Sequence, residues 1–132
     1  MSVYYHYIFR TYKGKSCLLF REFKEKLSAE FKQIAKEKGF ELLDHNILED
    51  HVHLLVRQGT TDSTNYVMRM FKGISARRFF QEYPSNRYEY RKLWGRGYFA
   101  RKLSEAEVPK VIEYIKNQIS SNGYDKRYAM VK

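Results

Sequence analysis

The run His51-Val52-His53-Leu54-Leu55-Val56 constrains this chain more than any other. Side chains on a strand alternate between its two faces, so Val52, Leu54 and Val56 share one face and His51 and His53 share the other. One face is therefore expected to pack on a core, while the other presents two imidazoles side by side. Adjacent imidazoles on a rigid strand are a natural start to a metal site. The competing reading is a hydrogen-bonded histidine cluster on a solvated face, and Arg57, on the same face, shows that this side is not wholly apolar.

The rest of the chain reads as alternating strands and helices. Val3 to Thr11 is aromatic and β-branched and predicts a first strand, followed by a basic loop from Tyr12 to Ser16. Leu18 to Lys38 carries Leu19, Phe20, Phe23, Leu27, Phe31 and Ile34 at helical spacing, and Gly39 stands where a helix ends. Phe40 to Leu48 and His51 to Arg57 predict a hairpin turning at Glu49-Asp50. Capping residues at Thr60 to Ser63 open a second helix that runs to about Glu82 with Val67, Met70, Phe71, Ile74 and Phe79 apolar, and Pro84 closes it. Ser85 to Lys92 is polar and irregular, and Leu93 to Lys102 predicts a fourth strand. Ser104 and Glu107 form a capping box for a last helix, although Pro109 places its true start later, and Asn122-Gly123 marks its end. The expected fold class is α+β: a ferredoxin-like (RRM-like) antiparallel sheet, covered on one face by two helices, with the histidines on the open face. No repeat, linker or boundary breaks the chain, so residues 1–132 are expected to form a single domain.

Charge bounds the partner. The chain carries 25 basic against 15 acidic residues, a net charge of +10, which favours a polyanion. Nucleic acid is the first expectation, an anionic membrane surface the second, and simple solubility the plain alternative. Aromatic residues at 17% suit single strands, whose bases stack on rings while phosphates meet cations. Candidate DNA contacts are Arg10, Lys13 and Lys15; Arg69, Lys72, Arg77 and Arg78; and Arg96, Arg101 and Lys102 flanking Trp94, Tyr98 and Phe99. The lysines of the first helix read instead as its solvated face. Cys17 is the one cysteine, which excludes an internal disulfide and fits a reducing compartment. No segment reads as a membrane span or signal peptide.

On the last helix, Val108, Val111, Ile112, Ile115 and Ile119 fall within about 100° as one stripe. Tyr114 lies about 120° from the middle of the stripe and Gln118 about 80°, on the same flank and one turn apart. A tyrosine at a stripe edge commonly packs its ring and wets its hydroxyl. A tyrosine and glutamine side by side off the stripe are equally placed to face a site.

Taken together, His51-Val52-His53 followed by Leu54-Leu55-Val56, the segment Leu93-Trp94-Gly95-Arg96-Gly97-Tyr98-Phe99 and the run Tyr114-Ile115-Lys116-Asn117-Gln118 resemble the HUH motif and tyrosine helix of the TnpA-type single-tyrosine transposases. These belong to small insertion sequences and their REP-associated relatives, and the resemblance spans nearly the whole chain. It implies that His51, His53 and Gln118 are metal ligands and that Tyr114 is the nucleophile. It implies cleavage and rejoining of single-stranded DNA, with a hairpin near the element end, through a 5′-phosphotyrosine. It also implies a homodimer, with no membrane partner, in a prokaryotic, nucleoid-associated cytoplasmic setting. Two imidazoles and an amide suit Mn²⁺ better than oxygen-loving Mg²⁺ by ligand type, while the resemblance implies Mg²⁺ as the cellular ion. Asp50 and Glu49 read first as turn residues and second as partners that orient a histidine. The rival functions are a non-catalytic sheet that grips single-stranded nucleic acid and a related HUH endonuclease domesticated by the host.

Overall fold

β1 (Ser2–Arg10) and β3 (His51–Gly59) form the centre of a four-stranded antiparallel sheet, in a computed structural model that describes residues 1–16, 18, 20–86 and 92–118. β2 (Glu41–Ile47) borders β3, and β4 (Phe99–Leu103) borders β1, giving the order β2-β3-β1-β4. Between the strands run α1 (Arg21–Lys38) and α2 (Thr64–Glu82), and α3 (Val108–Lys116) ends the described chain. This is the expected ferredoxin-like α+β arrangement. Cys17, Leu19, Ile119, the Asn122-Gly123 stop and most of the polar segment before Lys92 lie outside the described residues.

The alternation read from the sequence sets the two faces. Val52, Leu54 and Val56 join Tyr7 and Phe9 beneath α1 and α2, where Phe31, Phe71 and Phe79 fill the space between the layers. The helices form for local reasons. α1 buries Phe23, Leu27, Phe31 and Ile34 on one face and stops at Gly39, whose φ of 77° is the left-handed conformation that closes a helix. The Ser63 side chain, the last of the expected capping residues, accepts a hydrogen bond from the Tyr66 amide and starts α2.

Three expectations need correction. The first helix begins at Arg21, with Phe20 as its cap, rather than at Leu18. The fourth strand is short, because residues 93–98 meet the end of β1 through an isolated bridge from Trp94 to Thr11 and a bond from the Gly95 amide to the Arg10 carbonyl rather than a continuous ladder. The Lys72 ammonium donates to the carbonyls of Gly95 and Gly97, at 2.9 and 2.8 Å, and so holds that segment as a loop. Finally, the histidine face is not open. A second apolar cluster of Leu55, Leu103, Val111 and Ile115 joins α3 to that face. The capping box of Ser104 and Glu107 turns out to organise a 3-10 turn over Glu105–Glu107, and Pro109 sits in the first turn of α3, where no helical hydrogen bond is lost.

Two glycines of similar surroundings should respond oppositely to an added methyl group, since neither Gly39 nor Gly73 has any atom within 4 Å of a built Cβ. Gly39→Ala forces a left-handed alanine and should cost roughly 1–2 kcal/mol. Gly73→Ala, inside α2, should stabilise by roughly 0.5–1 kcal/mol. Urea unfolding of the two variants against the parent chain measures both.

Candidate active site

Register decides what meets on the second face. β1 and β3 pair with Ile8 opposite His53 and Arg10 opposite His51, and β2 pairs with β3 so that Asn46 lies opposite His53. His51 and His53 therefore share their surface with Ile8, Arg10 and Asn46. His6 pairs with Leu55 and so stands diagonally from His53, within reach of a ring. All three imidazoles are sequestered, with His6, His51 and His53 exposed by 0, 1 and 0%.

Each histidine is fixed by a specific partner. His51 Nδ1 lies 2.9 Å from the Asp50 carboxylate, and His53 Nδ1 lies 3.0 Å from His6 Nε2. His6 and His53 stack with centroids 5.2 Å apart and planes 18° from parallel. Burial is the main cause of two depressed pKa values. His6 is pushed down to about 4, with the Arg101 charge adding, and His53 to about 2, with His6 and His51 adding. Both rings are thus neutral at physiological pH and keep a lone pair to offer.

α3 and the two residues after it supply the remaining groups. The Tyr114 ring meets His53 edge-on at 5.8 Å and 76°, and His6 at 6.0 Å and 73°. Its hydroxyl is buried. The side-chain oxygen of Gln118 is buried as well and accepts no hydrogen bond from the described residues, and His53 Nε2 likewise has no such partner. Of the sequence candidates, His51 and His53 lie on this face, Tyr114 on the helix laid over it, and Gln118 two residues past the helix end at Lys116 rather than within the helix expected to carry it.

What holds α3 there can be weighed. Burying Val111 and Ile115 contributes about 1.5–3 kcal/mol each. The Asn46 amide donates to the carbonyls of Ile115 and Gln118, both at 2.9 Å, and two such bonds contribute about 0.5–1.5 kcal/mol each. Apolar contact therefore supplies most of the attachment. The Asn46 bonds fix how far along its axis the helix sits, which is what places Tyr114 and Gln118.

The donor chemistry fits a divalent cation. Buried Nε2 atoms on His51 and His53 and a buried amide oxygen on Gln118 are borderline nitrogen and hard oxygen donors of a mixed set. Among the described residues no three His, Cys, Asp or Glu side chains form a metal-holding group.

The basic candidates divide sharply. Trp94 is core: it is buried, meets Phe9 edge-on at 4.8 Å and donates from Nε1 to Ser75. Lys72 is spent on the loop carbonyls and its pKa is lowered by burial. Arg78 bridges Glu30 and Glu37 between the helices. Tyr98 is half-buried, with its hydroxyl on Asn65 and Thr64, and Phe99 packs edge-on against His6. All five have partners within the fold; Trp94 is buried and the other four are partly buried. Arg10, Lys13, Lys15, Arg69, Arg77, Arg96, Arg101 and Lys102 remain exposed, Arg101 in an ion pair with Glu107. Arg10, Lys13 and Arg96 line a cleft of about 400 Å³ with Thr11, Tyr12, Gly14 and Gly95, beside the His51 end of β1.

Sequence reasoning ranked Asp50 as a turn residue, and its bond to His51 shows the orienting role as well. It overlooked His6 and Asn46 altogether. No local signal marks either, because each reaches the site only through strand register.

Comparison with known proteins places the chain in a class. Residues 1–118 match the family model described as transposase, IS200-like, so the chain belongs to the IS200-like transposase family. Among its relatives, it is 29% identical over 116 residues to the ISDra2 transposase TnpA of Deinococcus radiodurans, covering 86% of this chain and 82% of that one. It is 22% identical over 120 residues to the transposase of insertion sequence element IS200 from Salmonella typhimurium, covering 89% and 78%. A crystal structure from D. radiodurans R1, assigned as a transposase, superposes with a TM-score of 0.73 at 28% identity, covering 92% of this chain and 94% of that one. A REP-associated tyrosine transposase bound to a REP hairpin shares the fold, with a TM-score of 0.64 at 14% identity over 86% of this chain and 64% of that one. A transposase is a DNA-acting enzyme, which accords with the basic charge. No helix among the described residues is long and apolar enough to cross a membrane.

Two outcomes test the site's construction. Because His6 and His53 have folded pKa values below the usual 6.5, the unfolded chain takes up protons that the folded chain refuses. Stability of the metal-free protein should be whole above about pH 6.5 and decline toward pH 4 and below, and His6→Gln should remove part of that slope in urea midpoints taken across the range. Asn46→Ala should leave the sheet intact and speed amide exchange at the end of α3, with a loss of about 1–3 kcal/mol.

Proposed function

We propose that this chain is a metal-dependent transposase that cuts and rejoins single-stranded DNA through a 5′-phosphotyrosine at Tyr114. The observation that carries the reading is the edge-on approach of the Tyr114 ring to His53, with its hydroxyl buried on the face that holds the histidine pair. His51 and His53 through Nε2 and Gln118 through Oε1 would hold the cation, Mg²⁺ in the cell and Mn²⁺ as the better ligand match; bound there, it supplies Lewis-acid charge to a non-bridging phosphate oxygen.

The chain's own residues do the rest. Asp50 orients His51. Asn46 sets the height of the tyrosine helix. The Tyr114 oxygen attacks the phosphorus and forms a new ester, and the bond to the 3′-oxygen breaks. The phenol gives up a proton and the departing 3′-oxygen gains one. One phosphate ester replaces another, so no nucleotide hydrolysis is required, and a second 3′-hydroxyl reverses the exchange to join strands. Burial of the site under α3 excludes water, which would otherwise hydrolyse the covalent intermediate.

Arg10, Lys13 and Arg96 sit where a strand entering the site would pass, beside the His51 end of β1. They give affinity and salt dependence more than sequence choice. The hairpin held by the REP-associated relative supports a hairpin-bearing strand as substrate here. A homodimer is part of the same proposal, and the packing of α3 on its own sheet supports reaction within one protomer.

Incubation with Mn²⁺ and a hairpin-bearing single strand should give a covalent protein–DNA adduct on a denaturing gel. Tyr114→Phe should abolish it. An adduct that persists moves the nucleophile to another tyrosine, with Tyr124 or Tyr128 (both outside the described residues) tested next. His51→Ala and His53→Ala should lose the adduct and keep most DNA binding; equal loss of both would assign the histidines to the fold alone. DNA binding with no adduct from the parent chain would establish a non-cutting binding module instead. Arg10→Ala should weaken binding across sequences and lower the slope of log affinity against log salt by about 1.

A further inference from the structure

Arg96 is held in a turn whose main chain is fixed on both sides. It lies between Gly95 and Gly97, is exposed, and lines the cleft with Arg10 and Lys13. Arg78 and Arg101 pair with glutamates, whereas no carboxylate pairs with Arg96 among the described residues. The Gly95 amide donates to the Arg10 carbonyl at 2.8 Å. A Cβ on Gly95 would stand 3.3 Å from the Thr11 carbonyl oxygen, so the turn is pressed against the end of β1. Gly97 takes a φ of 78°, the left-handed conformation that glycine adopts without strain. The Lys72 ammonium then donates to the carbonyls of both glycines, at 2.9 and 2.8 Å.

Anchoring the segment to the fold does not require that clamp. Just upstream, Trp94 is buried and donates to Ser75, and the Leu93 carbonyl accepts from the Tyr12 amide. What Lys72 adds is confined to residues 95–97, and the one side chain there is that of Arg96. A half-buried ammonium also needs acceptors of its own, and Lys72 has them in the turn rather than in a ligand.

We infer that Lys72 is a positioning residue for nucleic-acid binding: by holding the carbonyls on either side of Arg96, it presents that guanidinium in the cleft to a phosphate of the incoming strand. The inference rests on the proposed nucleic-acid reading of the cleft and names how that surface is built. A guanidinium whose main chain is fixed beforehand loses less freedom on meeting a phosphate. Lys72 thus serves binding without touching DNA, and its removal acts through Arg96 instead of deleting a second phosphate contact.

Anisotropy of a fluorescent, hairpin-bearing single strand, measured without metal across a salt series, separates the two cases. Arg96→Ala should lower the slope of log affinity against log salt by about 1. Lys72→Met should lower it toward the same value, and the double variant no further than Arg96→Ala alone. Two independent phosphate contacts would instead give a fall of about 2 in the double variant. Gly97→Ala keeps the Lys72 charge and disturbs the turn through its backbone, so it should behave like Lys72→Met and decides the matter should Lys72→Met fail to fold. Without DNA, ¹⁵N relaxation at the amides of residues 95–97 should report a rigid turn in the parent and in Arg96→Ala, and added motion in Lys72→Met. Additive losses overturn the inference, as do parent-like binding by Lys72→Met or by Arg96→Ala and a turn as rigid in Lys72→Met as in the parent. A parent chain that does not bind the strand overturns the nucleic-acid reading itself, and the role assigned to Lys72 with it.

Discussion

β3 is buried on both faces, and the rest of the molecule follows from that double burial. A strand between two others turns alternate residues to opposite sides, so its two faces must find two different coverings. Val52, Leu54 and Val56 take α1 and α2, and the face of His51, His53 and Leu55 takes α3. The same strand thus anchors the core and the chemistry. Placing the imidazoles at the start of the most constrained element limits their motion, which a site that must hold reacting groups to within fractions of an ångström requires.

Covering the histidines has an electrostatic price, met by specific partners. Burial drives the His6 and His53 rings to their neutral forms, and neutral imidazoles are the forms that bind a cation. His51 and His53 each have a polar neighbour at Nδ1, the Asp50 carboxylate and His6 Nε2. Polar groups that would be a liability in an ordinary core are thus paired on this face.

The basic residues show how charge is partitioned between folding and binding. Lys72 and Arg78 tie the loop at Gly95 and the two long helices together, and contribute to the architecture more than to an outer field. The exposed cations concentrate partly around the end of β1, where Arg10, Lys13 and Arg96 line one cleft near His51. An IS200-like transposase needs both kinds: cations that assemble a small enzyme and cations that meet a polyanion.

Much of this was legible in the chain itself, wherever the determining interaction is local. The alternation from His51 to Val56, the apolar spacing of α1 and α2, Gly39 and the Ser63 cap announced their elements because each depends on neighbours within a turn or a strand step. The candidates His51, His53, Tyr114 and Gln118 were visible as residue types at particular spacings. Other features depend on which strand lies beside which. The pairing of β1 with β3 brings His6 to His53, that of β2 with β3 brings Asn46 under the end of α3, and the folding of α3 over the sheet turns an open histidine face into an enclosed site. The loop fate of residues 93–98 was hidden for the same reason, since it hangs on Lys72 more than twenty positions away. Local sequence fixes period and propensity, whereas register and the docking of α3 arise only when distant segments bury surface together, and those contacts leave no mark on the residues before the chain has folded.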